Sequence, residues 1–114
     1  MTVFICPAEG NKLRSDRDAV EVIGEAIAQG AHCVLIPSER LDGDFFRLRT
    51  RVAGEFISKF VTYGVRLAII GDISRHVSES DSLRDFVAES NRGQHIWFAA
   101  SREELEMRSA ACRT

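Results

Sequence analysis

Three stretches of this chain are apolar with no polar alternation: Cys33-Val34-Leu35-Ile36, Leu67-Ala68-Ile69-Ile70 and Ile96-Trp97-Phe98-Ala99. A strand with one wet face alternates, so runs of this kind belong to strands covered on both faces. The intervals between them read as helices. The first holds Val52, Ala53, Phe56, Ile57, Phe60 and Val61, and the second Leu83, Phe86 and Val87, all at three- or four-residue spacing. A helix between consecutive strands forces a crossover connection, which makes the strands parallel and the connection right-handed. An α/β fold follows.

The segments before and after obey the same logic. Val3-Phe4-Ile5-Cys6 stops at Pro7, and Glu9-Gly10-Asn11 supplies turn residues before Lys12-Leu13-Arg14, which predicts a β-hairpin. Ser15 and Asp18 form a capping box at the start of a helix over 16–29, with Ala19, Val22, Ile23, Ala26 and Ile27 on one face and Gly30 ending it. After Pro37 comes the longest connection, through Thr50, with a turn at Asp42-Gly43 next to Phe45-Phe46. The helix that follows ends at Gly64 and contains Gly54. A glycine there costs about 1 kcal/mol relative to alanine, so close approach by the sheet, another helix or a second subunit is expected. A polar loop is predicted from Asp72 through Ser82, then a helix capped by Ser80 or Ser82 and ended by Asn91 and Gly93. Ser101 and Glu104 repeat the capping pattern for a short last helix to about residue 111, beyond which the tail frays. The prediction is one α/β domain over 1–114: an N-terminal β-hairpin, then alternating helices and strands in a mixed sheet whose later strands are parallel and flanked by helices. No repeat or linker interrupts it.

Charge narrows the partners. Fifteen basic residues stand against seventeen acidic ones, so no general attraction to nucleic acid or to an anionic membrane is predicted. No apolar run approaches a membrane span, and the first one is too short for a signal-peptide core. Cys6, Cys33 and Cys112 make an odd count without C-x-x-C spacing, which fits a reducing compartment and a cytoplasmic location. His32, His76 and His95 stand singly, so neither a metal nor another cofactor is expected. No glycine-rich phosphate loop, nucleophile elbow or dinucleotide fingerprint is present, and enzyme activity is the less favoured reading.

Loops that follow parallel strands share one edge of the sheet, the default place for a ligand. That edge should collect Ser38, Glu39, Arg40, Asp42 and Arg75, and above all Asp72, Ser74 and His76 together with Arg47, Arg49 and Arg51. These residues could bind a small polar or anionic ligand or position a proton transfer. Asp72 directly after a strand can act as acid, base or anchor, and equally can accept backbone amides of its own loop. The alternating arginines suit an extended segment that grips a carboxylate or phosphate, or plain solvation. A second polar segment, Glu89, Ser90, Asn91, Arg92 and Gly93, should lie at the opposite edge. It is either helix-end chemistry with an ion pair or a partner surface.

The segments Phe45-Phe46-Arg47-Leu48, Ala53-Gly54-Glu55, Val65 through Asp72, Leu83-Arg84-Asp85-Phe86 and Glu89-Ser90-Asn91-Arg92-Gly93 resemble the bacterial family known as domain of unknown function 4180, over nearly the whole chain. That family implies no activity. In element order the chain also resembles STAS domains, small regulatory and interaction modules. In phosphoregulated members a serine stands where this chain has Ser38 and Thr50, without the usual motif. This likeness implies a noncatalytic regulatory or protein-interaction module, with a protein partner or self-association as a dimer. The alternative is a small-molecule binder or small enzyme that uses the edge around Asp72 and the arginines.

Overall fold

The computed structural model describes residues 3–112, with side chains as far as residue 107. Four strands, β1 (Val3–Ile5), β2 (Cys33–Pro37), β3 (Arg66–Ile70) and β4 (Ile96–Ala99), lie in the order β1-β2-β3-β4, and every pair is parallel. Five α-helices accompany them among the described residues: α1 (Asp16–Ala28), α2 (Val52–Tyr63), α3 (Ser74–Glu79), α4 (Asp81–Arg92) and α5 (Arg102–Cys112). The α/β class, the interleaved helices and the parallel later strands are as predicted. The loop expected from Asp72 through Ser82 contains the short helix α3. The thiol of Cys112 and the tail at 113–114 lie outside the described residues.

The N-terminal hairpin and the mixed sheet are corrected. Val3, Phe4 and Ile5 run parallel to Cys33, Val34 and Leu35, so β1 is an ordinary member of the parallel sheet. Lys12-Leu13-Arg14 does not return to β1. Leu13, 6% exposed, bridges to Leu41 instead, its amide donating to the Arg40 carbonyl at 2.9 Å and its carbonyl accepting the Asp42 amide at 2.9 Å. The buried leucine finds its apolar cover on the long connection, and α1 then supplies the crossover that parallel pairing requires.

Local chemistry sets the helix ends. Ser15 Oγ accepts the Asp18 amide at 3.1 Å while Asp18 Oδ2 accepts the Ser15 amide at 3.3 Å, both halves of the capping box. Both α1 and α2 end in a glycine at positive φ. Hydrogen bonds from the Ala31 amide to the Ala26 carbonyl and from the Val65 amide to the Phe60 carbonyl close the last turns.

A sheet whose neighbours follow chain order through right-handed crossovers carries all its crossover helices on one face. Val34, Ile36, Leu67, Ile69, Ile96 and Phe98 accordingly pack with residues of α1, α2 and α4 in one core. Cys33, Leu35, Ala68, Trp97 and Ala99 form a second core with Leu105 of α5 on the other face. The strand order never reverses, so there is no switch-point crevice of the kind that holds ligands in doubly wound sheets. Any concavity at the strand ends has to be walled by the connections themselves.

Two glycines separate cleanly. A Cβ on Gly71, whose φ is +144°, would fall 2.1 Å from Ser38 Oγ, so the end of β3 meets the end of β2 only because Gly71 has no side chain. A Cβ on Gly54 would meet nothing within 4 Å. Of the three contacts expected at Gly54, neither the sheet nor another helix supplies one. Among the described residues no helix is long and apolar enough to cross a membrane.

Candidate functional site

The connection from β2 to α2 folds into three 3-10 turns, Ser38–Arg40, Gly43–Phe46 and Leu48–Thr50. Asp42 Oδ1 accepts the Asp44 amide at 2.9 Å and starts the second of them. Phe45 and Phe46, 1% and 4% exposed, then anchor the segment in the core, with Phe45 edge-on to both Phe46 and Phe56. The Thr50 hydroxyl closes it, at 2.8 Å from the Asp44 carbonyl and 2.7 Å from that of Arg47. With its phenylalanines inward and its ends tied, the segment leaves Arg47 and Arg49 at the surface.

Facing this segment are α3 and the start of α4. Asp72 Oδ1 accepts the Ser74 amide at 2.9 Å and so begins α3, while Ser80 Oγ accepts the Leu83 amide at 3.1 Å and caps α4. The two walls meet where His76 stacks on Phe46, with ring centroids 4.3 Å apart and planes 12° apart. Between them opens a cleft of about 990 Å³. One wall presents Arg47, Leu48 and Arg49, the other Arg75, Glu79 and Ser82. Three arginines and one glutamate thus line the cleft among the described residues. Arg47 pairs with Asp44 at 3.3 Å, whereas Arg49 and Arg75 have no ion pair among the described residues. Burial first, then Arg75 and Arg47, push His76 below the ordinary histidine range against the opposing pull of Glu79. The arrangement is rich in hydrogen-bond donors and suited to an anion.

The predicted edge residues therefore divide. Arg47, Arg49 and His76 come together in the cleft. Arg51 does not line it; it takes a left-handed conformation, φ 66°, as the cap residue of α2. Asp72 and Ser74 line a separate hollow of about 240 Å³ with Val77, Val87 and Phe98. Asp72 itself is exposed, and hydrogen bonds from Ser74, hydroxyl first and amide second, hold its carboxyl below the usual carboxylate range. Its place in the structure is that of a turn-forming carboxylate. Arg75 belongs to the predicted edge, whereas Glu79 and Ser82 do not. The i, i+4 spacing of Arg75 and Glu79 in a segment read as loop was the signal that could have found Glu79.

The Glu89 to Gly93 segment lies apart from the cleft and serves β4. Asn91 Oδ1 accepts the Phe98 amide at 2.8 Å, the Gly93 carbonyl accepts the Trp97 indole N–H at 2.7 Å, and Arg92 pairs with Glu89 at 2.9 Å. Arg40 is occupied likewise, donating to the carbonyls of Asn11 at 2.7 Å and Pro7 at 3.0 Å. Cys6 and Cys33 are free and buried; burial pushes the Cys6 thiol up to about 11 and raises that of Cys33, so neither is a ready nucleophile at neutral pH. Among the described residues no three His, Cys, Asp or Glu side chains gather as a metal site would need.

Residues 1–108 match the family described as Domain of unknown function (DUF4180). No curated protein and no solved structure matches the chain significantly, and neither comparison supports the likeness to STAS domains.

Proposed function

We propose that this chain, which belongs to the family of domain of unknown function 4180, is a noncatalytic regulatory module that binds a small anionic ligand in the cleft between the 43–49 segment and α3. The observation that carries this reading is the convergence of Arg47, Arg49 and Arg75 on one cleft, with two of the three in no ion pair among the described residues. Guanidinium groups lose less entropy per hydrogen bond than ammonium groups and match planar or tetrahedral oxyanions. Binding without turnover is favoured because Asp72, the carboxylate best placed in sequence to move a proton, is outside the cleft and holds the Ser74 amide.

A thermal-shift titration with phosphate, sulfate and citrate tests it. An anion at a hundred times its Kd stabilises by about 2.7 kcal/mol, a rise of roughly 10 °C for a domain of this size. The rise should vanish in Arg49→Ala and Arg75→Ala and persist in Asp72→Ala. An unmoved melting point, or arginine variants that respond like the parent, would sink the reading.

A second reading, self-association, has one observation of its own. Gly24 in α1 and Gly54 in α2 both face open space, on neighbouring helices that also expose Val20, Ile27 and Val61. Light scattering at several protein concentrations decides it, and a monomer throughout excludes it.

A further inference from the structure

We infer that the anion held in this cleft is a phosphate monoester, gripped by guanidinium groups from both walls, and not a carboxylate. This rests on the anion-binding reading and narrows it to one chemical class.

The geometry of the donors carries the argument. Arg47 and Arg49 come from the segment before α2, whereas Arg75 comes from α3 and Ser82 from α4. The two walls touch at the Phe46–His76 stack and are separate chain segments elsewhere. A carboxylate offers its lone pairs in a single plane and is satisfied by one fork approaching in that plane. A phosphoryl group carries three terminal oxygens pointing in different directions, so it can receive one fork from each wall and a hydroxyl as well. The Ser80 hydroxyl oxygen already accepts the Leu83 amide, which leaves its proton to donate.

Size adds the ester. At about 990 Å³ the cleft is far larger than an inorganic ion, and its lining mixes Leu48 and Phe46 with the charged groups. A ligand that fills it needs an organic body behind the phosphoryl group, of the volume usual for small-molecule sites. Glu79, the single carboxylate of the lining, disfavours a second anionic group at its own end and suits a neutral or hydroxyl-bearing body there.

Isothermal titration of the full chain with phenyl phosphate, benzoate and inorganic phosphate tests this. Phenyl phosphate should bind at least tenfold more tightly than benzoate, which has the same ring, and more tightly than inorganic phosphate, which has none. Arg49→Lys and Arg75→Lys keep the charge but lose the fork, and each should cut phenyl phosphate affinity roughly tenfold with little change for benzoate. Equal binding of phenyl phosphate and benzoate would overturn the phosphoryl assignment and leave the anion-binding reading standing. Equal binding of phenyl and inorganic phosphate would overturn the ester. Failure of every anion to bind would overturn both.

Discussion

The cleft beside α3 and the Glu89 to Gly93 segment are both dense in polar residues, yet their hydrogen bonds end in different places. In the segment, Asn91 and Gly93 hold the edge of β4 through the Phe98 amide and the Trp97 indole, and Arg92 is matched by Glu89. In the cleft, Arg49 and Arg75 are bound to no partner among the described residues, although Phe46, Asp42 and Thr50 spend considerable order on holding their wall in place. Polar density therefore does not distinguish scaffold from binding surface. The distinction lies in whether the donors are already used, because a donor without a partner in the folded chain is available to a ligand.

The largest test of that contrast is Phe46→Ala. Phe46 is buried in the core and is also the surface on which His76 lies, so its loss should cost about 3–5 kcal/mol in chemical denaturation and take the anion response with it. Phe46→Leu keeps most of the volume and should recover most of the stability. A near-silent Phe46→Ala would mean that the wall is not anchored as described.

Asn91→Ala sharpens the other side. It removes the acceptor of the Phe98 amide on a buried strand and should cost roughly 1–3 kcal/mol while leaving anion affinity unchanged. Altered binding in that variant would show the two regions to be coupled. Smaller again is Gly54→Ala, which enters open space on an exposed turn of α2 and should stabilise the monomer by about 1 kcal/mol. A loss of stability that grows with protein concentration and disappears on dilution would assign Gly54 to a contact between copies.

Much of the scaffold was legible in sequence because it rests on local rules. The unalternating runs named β2, β3 and β4, and Ser15 with Asp18 fixed the start of α1. The hairpin failed because turn residues at Glu9-Gly10-Asn11 say that the chain turns but not which strand it meets next. That choice was decided by Leu13 finding Leu41, a long-range contact with no local signature. The grouping of residues in the candidate cleft was half legible for the same reason. Arg47, Arg49 and His76 stood on loops at the right edge, but Arg51 was turned aside by its left-handed backbone and Asp72 was absorbed by the amide of Ser74. Which of several polar neighbours face one another depends on where Phe46 packs, and that is a property of the folded core.

The smallest expected effect is a pH dependence confined to the cleft. Burial, Arg75 and Arg47 keep His76 harder to protonate in the folded chain than in the unfolded one. The unfolded state then holds more protons just below the ordinary histidine value of about 6.5, and stability rises with pH through that window. Above it both states are neutral and His76 contributes no slope. Urea denaturation between pH 7.5 and 5.5 should therefore show a fall in stability on acidification that is shallower in His76→Gln, whereas Asn91→Ala should be less stable throughout but keep the parental slope. Saturating sulfate, which does not titrate in this window, should flatten the arginine-dependent part of the parental slope, since an anion between the guanidinium groups offsets the charge that opposes protonation. Equal slopes in the parent and His76→Gln would show that the folded surroundings of His76 do not oppose its protonation.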